Sequence, residues 1–185
     1  MFEVEMKFPL SDADSVVRQF TASGARPGAA IDQCDLYFNH PGRDFGKTDE
    51  ALRIRTEGNR HYVTYKGPIV DSRTKTRREI EIGLCEGDAA DRFAEMLQWL
   101  GFRQVRSVRK RRTTYYLAWE GLEFEIAIDE VAGLGTFLEI ETQSDEAGRR
   151  AAVDAMQAIV VRFGLPPDER KSYLSLLLEK DNQIL

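Results

Sequence analysis

In the opening stretch MFEVEMKFPL, Glu3, Glu5 and Lys7 alternate with Val4 and Met6, and the same alternation returns along the chain. Arg53 and Arg55 share one parity in ALRIR, Glu79 and Glu81 in RREIEI, and Lys110 and Arg112 in VRKRRTTY. Glu125 and Asp129 oppose Phe124, Ile126 and Ile128, Glu139 and Glu141 oppose Leu138 and Ile140, and Lys66 ends VTYKG. Strand side chains repeat every two residues, so each segment puts its charges on one face and its apolar groups on the other. A half-buried sheet with one solvated face accounts for any single strand of this kind. Taken together the strands imply more. If the apolar faces lie outward beneath packed helices, the charged faces line the inside of a curved or closed sheet.

Such an interior constrains its own chemistry. Carboxylates two residues apart on a strand lie roughly 6.6 Å from one another and repel by about 2.5 kcal/mol at an effective dielectric of about 20. Gathered in a concavity they call for a cation, and an oxygen-only set without a His or Cys cluster favours a hard ion, Mg²⁺ or Mn²⁺. Lys7, Arg53, Arg55, Lys66, Lys110 and Arg112 need anions in turn. Guanidinium forks fit phosphate oxygens in pairs, and lysine supplies a compact charge. A metal bridging the acidic residues to a chain of phosphates satisfies both sets at once.

The elements that would carry these residues are legible. The first strand ends near Pro9, and SDADSVVRQFTASG reads as a helix capped at Ser11 or Asp12 and stopped at Gly24. IDQCDLYFN reads as a strand and HPGRDFGKTDE as a loop. ALRIRTE and HYVTYKG form a hairpin through 57–59, IVDSRTK is a polar connection, and TRREIEIGL is a further strand. GDAADRFAEMLQWLGF is the clearest helix, with Phe93, Met96, Leu97 and Leu100 on one stripe. A long basic and aromatic strand over 104–119 turns at Glu120 and Gly121 into LEFEIAIDEV, and a turn over 132–135 leads into TFLEIET. The last third is helical, over 144–164 and again near YLSLLLEK, with a break at Pro166 and Pro167. About eight strands with hairpin-length connections and outer helices give an α+β architecture.

At 185 residues, without internal repeat or low-complexity linker, the chain reads as a single domain over 1–185. A net charge of −5 and a pI near 5.2 speak against a protein that coats nucleic acid or an anionic membrane, so neither is expected as a partner. Cys34 and Cys85 are too few for a disulfide scaffold or a zinc site. The start is neither a basic nor an apolar leader region, and no apolar run approaches the ~20 residues that span a bilayer. A cytoplasmic location is therefore expected.

The ordered series EVEMK, LRIR, YKGP, RREIE, KRRTTY, IDEVAGLG, FLEIE and KSY resembles the CYTH, or triphosphate tunnel metalloenzyme, superfamily, from Glu3 to Tyr173. The resemblance implies an antiparallel eight-stranded β-barrel, the triphosphate tunnel, with helices packed outside. By motif it implies that Glu3, Glu5, Glu79, Asp129, Glu139 and Glu141 hold metal, with Glu81 and Glu125 in phase beside them. Lys7, Arg53, Arg55, Lys66, Arg77, Lys110, Arg112 and Lys171 would grip the phosphates, and Lys7, Arg53, Arg55, Lys66 and Asp129 would form the catalytic set. Lys171 enters only through the KSY motif; by itself it is a lysine beside a helix.

QCDLYFNHPGRDFGKTDEALRIR, YKGP and GLGTFLEIE are most similar to the class IV adenylyl cyclase subgroup, which implies conversion of ATP to cyclic AMP and pyrophosphate. Inorganic tripolyphosphatase and thiamine triphosphatase stand beside it, because a charged tunnel serves water as well as a ribose hydroxyl. HPGRDFGKTDE is either an entrance loop that contacts a base or a solvated loop. A catalytically silent nucleotide- or polyphosphate-binding module would favour the basic set alone. A protein-interaction domain would expose its charged faces. The expected partner is a small triphosphate, and a homodimer is compatible with the sequence.

Overall fold

The computed structural model describes residues 2–71 and 73–183. Eight antiparallel strands close into a barrel in the order β1-β5-β4-β3-β2-β6-β7-β8, and β8 returns to β1. They are β1 (Phe2–Leu10), β2 (Arg26–Asn39), β3 (Ala51–Glu57), β4 (Arg60–Asp71), β5 (Thr76–Leu84), β6 (Arg103–Trp119), β7 (Leu122–Val131) and β8 (Gly135–Ser144). Outside lie α1 (Ala13–Ala22), the single turn α2 (Phe45–Thr48), α3 (Ala89–Trp99), α4 (Arg149–Phe163) and α5 (Tyr173–Asn182).

The alternation of β1 sets its orientation. Val4, Met6 and Phe8 face outward into a core with Phe124, Ile126, Leu138 and Ile140 from β7 and β8. Phe20 of α1 and Val153, Met156 and Ile159 of α4 complete that core. Burying such side chains contributes about 1.5–3 kcal/mol each, so a one-residue slip that turned this face inward would forfeit the core. Glu3 and Lys7 therefore face inward, at 2% and 1% exposure. On the other flank Ile54, Val63 and Phe38 pack beneath Leu97 and Phe93 of α3.

The outer faces are not all covered. On β5, Ile80 and Ile82 are 45% and 60% exposed. The contacts of α3 fall on β3, β4 and β6 instead, so this pair departs from the expectation that each apolar face lies under a helix.

Inside the barrel the charged lining ends at an apolar layer. Tyr37, Val108, Val131 and Phe137 continue the inward parity of Asp35, Lys110, Asp129 and Glu139, and pack against Tyr173 and Leu177 of α5. This helix begins at Ser172, whose hydroxyl caps the amide of Ser175 at 3.0 Å. It is held to the barrel by Lys180, which donates to the Gly133 carbonyl at 2.6 Å, and by an ion pair between Arg106 and Asp181. Four boundaries differ from expectation. The strand expected from Ile31 begins at Arg26, and β4 runs on through Ile69 to Asp71. Within the loop 40–50, Asp44 caps the turn α2 by accepting from Gly46 at 3.1 Å. The helix expected from Ser144 begins at Arg149, because β8 holds the chain through Ser144 in its pairing with β1.

Candidate active site in the barrel interior

A cavity of about 850 Å³ lies within the barrel. Glu3, Glu5, Lys7, Arg53, Arg55, Lys66, Arg77, Glu79, Lys110, Arg112, Glu139, Glu141 and Lys171 all line it. The strands set their order. Lys7 sits opposite Glu139, and Glu5 opposite Glu141, which in turn faces Glu125 on β7. Three carboxylates thus lie in a row across β1, β8 and β7, where directly opposed like charges are unfavourable.

On one wall Lys66 gathers the acids of β1 and β5. Its Nζ lies 2.6 Å from both oxygens of Glu3, 2.9 Å from Glu79 and 3.7 Å from Glu5. Burial opposes the Lys66 charge, but the three carboxylates outweigh it and hold the ammonium above its ordinary range. Glu79 is held low, the charge of Lys66 overcoming burial, while burial pushes Glu3 up against the pull of the same lysine. Among the described residues Glu141 makes no such ion pair. Burial, then repulsion from Glu3 and Glu125, pushes it up to about 8.

Asp129 organises the wall opposite. It is fully buried and accepts from Lys110 at 2.7 Å, from Arg112 at 2.7 and 2.6 Å, and from the Tyr173 hydroxyl at 3.1 Å. Arg112 also bonds Glu139, and Lys110 lies 3.8 Å from that carboxylate. Against the cost of burial, Lys110 and Arg112 hold Glu139 well below the carboxylate range. Both oxygens of Asp129 are engaged by donors, so in this arrangement it orients cations.

Sequence reasoning missed a third group. Asp35, on β2 and 2% exposed, takes the Arg55 fork through Nε and Nη2 at 2.7 Å each and Arg53 Nη1 at 3.2 Å. These guanidiniums hold it far below the carboxylate range despite burial. Among the described residues the buried Nε of Arg53 has no hydrogen-bond partner. In IDQCDLYFN the signal was one carboxylate in phase with Gln33 and Tyr37, with no second charge to mark the face. Lys75 was missed as well, because it falls where a connection was expected. It is in phase with Arg77 and Glu79 and is 5% exposed.

The KSY motif contributes in an unexpected way. The Lys171 side chain is exposed and pairs with Glu179 at 2.7 Å, whereas its backbone carbonyl accepts from Lys7 Nζ. Tyr173 faces the lysines, with Lys7 Nζ 4.1 Å and Lys110 Nζ 5.2 Å from its ring centroid. Burial, then the charge of Lys75, lowers Lys7 to about 8. Arg77 reaches the loop 40–50, donating to the Asp49 carbonyl at 2.9 Å. Glu81 accepts from Thr64 at 2.8 Å, and Glu125 lies 3.6 Å from Arg112.

The donor set fits a hard divalent ion. Among the described residues no three His, Cys, Asp or Glu groups already converge into a metal cage. Glu5, Glu141 and Glu125 nevertheless stand opposed across three strands, and Glu141, which makes no ion pair among the described residues, carries the charge conflict that a cation relieves. Glu3 and Glu139 lie in the same cavity, each already engaged by a cation. Closure of the barrel around these faces counts against an interaction domain with exposed charged sheets.

Comparison with known proteins agrees with this construction. A Methanocaldococcus jannaschii protein provisionally named an adenylate cyclase is 39% identical over 179 residues, covering 95% of this chain and 98% of its own. The adenylate cyclase CyaB of Aeromonas hydrophila is 30% identical over 187 residues, covering 95% and 88%. A solved Pyrococcus horikoshii protein superposes with a TM-score of 0.84 at 40% identity, over 96% of this chain and 99% of its own. A Hippeastrum protein, provisionally an adenylyl cyclase and described with a dominant triphosphatase activity, shares the fold with a TM-score of 0.65 at 18% identity, over 97% and 95%. The sequence pattern of the CYTH domain matches residues 1–167, and the chain belongs to the CYTH domain family.

Proposed function

We propose that the protein is a divalent-metal-dependent enzyme that converts ATP to cyclic AMP and pyrophosphate. The observation that carries the triphosphate reading is the juxtaposition, in one enclosed cavity, of an acidic row with three sets of cations. The names of the curated relatives favour cyclisation. Glu3, Glu5, Glu139 and Glu141 would hold Mg²⁺ or Mn²⁺, with Glu79 beside them. Bound there, the ion would orient phosphate oxygens and offset their charge.

The remaining roles belong to the chain. Arg53 and Arg55, fixed by Asp35, and Lys110 and Arg112, fixed by Asp129, present donors that need not reorganise as negative charge develops on the phosphates. Lys7 and Lys66 supply compact charge from β1 and β4. In cyclisation the ribose 3′-oxygen forms a bond to the α-phosphorus, the bond from that phosphorus to the pyrophosphate oxygen breaks, and the hydroxyl proton leaves to solvent. Phe45, Ala51 and Ile69, among the residues that line the cavity, would offer apolar contacts for a nucleoside.

A second reading, hydrolysis of the terminal phosphate, draws support from the triphosphatase activity of the Hippeastrum relative and from a lining whose charges serve any triphosphate. Incubation with ATP, thiamine triphosphate and tripolyphosphate, each with Mg²⁺ or Mn²⁺, separates the two. Cyclic AMP with pyrophosphate is the expected product. Orthophosphate from tripolyphosphate without cyclic AMP would transfer the proposal to hydrolysis, and binding without turnover would leave a silent module. Glu139→Gln is expected to abolish whichever activity appears; full metal-dependent turnover in that variant would remove Glu139 from the metal set.

A further inference from the structure

Lys75 precedes β5 and is turned into the cavity by its neighbours. Thr74 and Thr76, both fully buried, hydrogen-bond to each other at 2.5 Å, and the Lys75 amide donates to the Glu5 carbonyl at 3.0 Å. Its Nζ lies 3.4 Å from the Lys171 carbonyl and 3.5 Å from Glu5 Oε1. Lys7 Nζ donates to the same carbonyl. Two buried ammonium groups thus converge on one backbone oxygen, with the Glu5 carboxylate beside Lys75 as a shared counter-charge. One carboxylate and a neutral carbonyl leave two full charges incompletely compensated, whereas phosphoryl oxygens carry formal charge and make stronger hydrogen bonds with ammonium donors.

We propose that Lys75 is a phosphate-gripping residue that works as a pair with Lys7, the two ammonium groups taking phosphoryl oxygens of a substrate in the cavity that both line. This assignment rests on the triphosphate reading above. It differs from a structural role, in which Lys75 would only pin the 169–172 segment to β1. A structural lysine stabilises the ligand-free protein. A ligand-directed lysine, held against a like charge, does not.

The test measures binding of inorganic tripolyphosphate by calorimetry, with and without Mg²⁺, and thermal unfolding, on the parent chain, Lys75→Met and Lys75→Arg. Lys75→Met is expected to unfold at or above the parent temperature without ligand, to lose most of the tripolyphosphate-induced upward shift, and to bind about tenfold or more weakly. Lys75→Arg, which keeps the charge, is expected to retain most of the affinity. Parent-like affinity in Lys75→Met overturns the Lys75 assignment alone, and earlier ligand-free unfolding with that affinity identifies a structural lysine. Failure of the parent to bind tripolyphosphate removes the triphosphate reading and Lys75 with it.

Discussion

Two places in the barrel use the same local device. On β2 and β3, Asp35 faces Arg55 and takes its fork; on β7 and β6, Asp129 faces Arg112 and takes its fork. Each carboxylate collects a second cation two residues earlier on the partner strand, Arg53 in one case and Lys110 in the other. The surroundings differ. Asp129 is also bonded by Tyr173, and Arg112 passes on to Glu139, so this cluster is tied to α5 and to the acidic row. The Asp35 cluster ends on the Nε of Arg53, unpartnered among the described residues. One cluster is wired into the barrel, while the other keeps donor capacity for a ligand.

The largest expected effect tests that wiring. Asp129→Ala leaves Lys110 and Arg112 buried with one fewer counter-charge and is expected to cost about 3–5 kcal/mol in denaturant unfolding. Asp35→Ala should cost less, because Arg53 and Arg55 retain 13% and 11% side-chain exposure through which water can reach them. Equal losses would break the comparison. Arg53→Met is expected to weaken triphosphate binding roughly ten- to hundredfold, by the loss of charge-assisted hydrogen bonds, with little change in unfolding. Arg112→Met should lose both binding and stability, and Arg112→Met unfolding like the parent would show that its links to Asp129 and Glu139 are idle.

Titration sharpens the contrast between the acidic row and the clamped carboxylates. Glu141, raised from 4.5 to about 8, retains its proton longer in the folded state than in the unfolded one. Its contribution is present in full below about pH 4.5 and is lost as pH rises toward about 8. In metal-free buffer, Glu141→Gln should therefore gain stability relative to the parent across that window. Asp35 has the opposite sign: its folded carboxyl is depressed, so its contribution is present above the ordinary aspartate range and is lost only in acid. The penalty of Asp35→Asn should shrink as pH falls below that range, as read by unfolding at a series of pH values. The smallest effect is that of Tyr173→Phe, about 1 kcal/mol for one hydroxyl on Asp129, with the ring still beneath Lys7 and Lys110. A loss of several kcal/mol would show that the phenol, rather than the arginine, fixes Asp129.

Much of this site was legible because period-two alternation survives wherever a strand is buried on one face. Glu3, Glu5 and Lys7 could be assigned inward from Val4, Met6 and Phe8 alone, and so could Glu139 from Leu138 and Ile140. Asp35 was not legible, since Asp32 lies at the opposite parity of the same strand, so the charges there define no face, and its importance lies in Arg53 and Arg55 on another strand. Lys75 hid in a polar segment, where no apolar neighbours revealed its parity. Lys171 shows what a motif leaves open: it marks the position, and the folded chain turns the carbonyl toward Lys7 and the side chain toward Glu179.

The sequence by itself determined the strands, their inward charges and the apolar faces that turn them, because these follow from local periodicity and the cost of exposing large side chains. Only the tertiary structure decided which cation meets which carboxylate, that Glu141 makes no ion pair among the described residues, and that α5 lays Tyr173 between two lysines. Those outcomes depend on strand order and register around a closed barrel. Electrostatic energy depends on distances between groups far apart in the chain, and no local pattern encodes them.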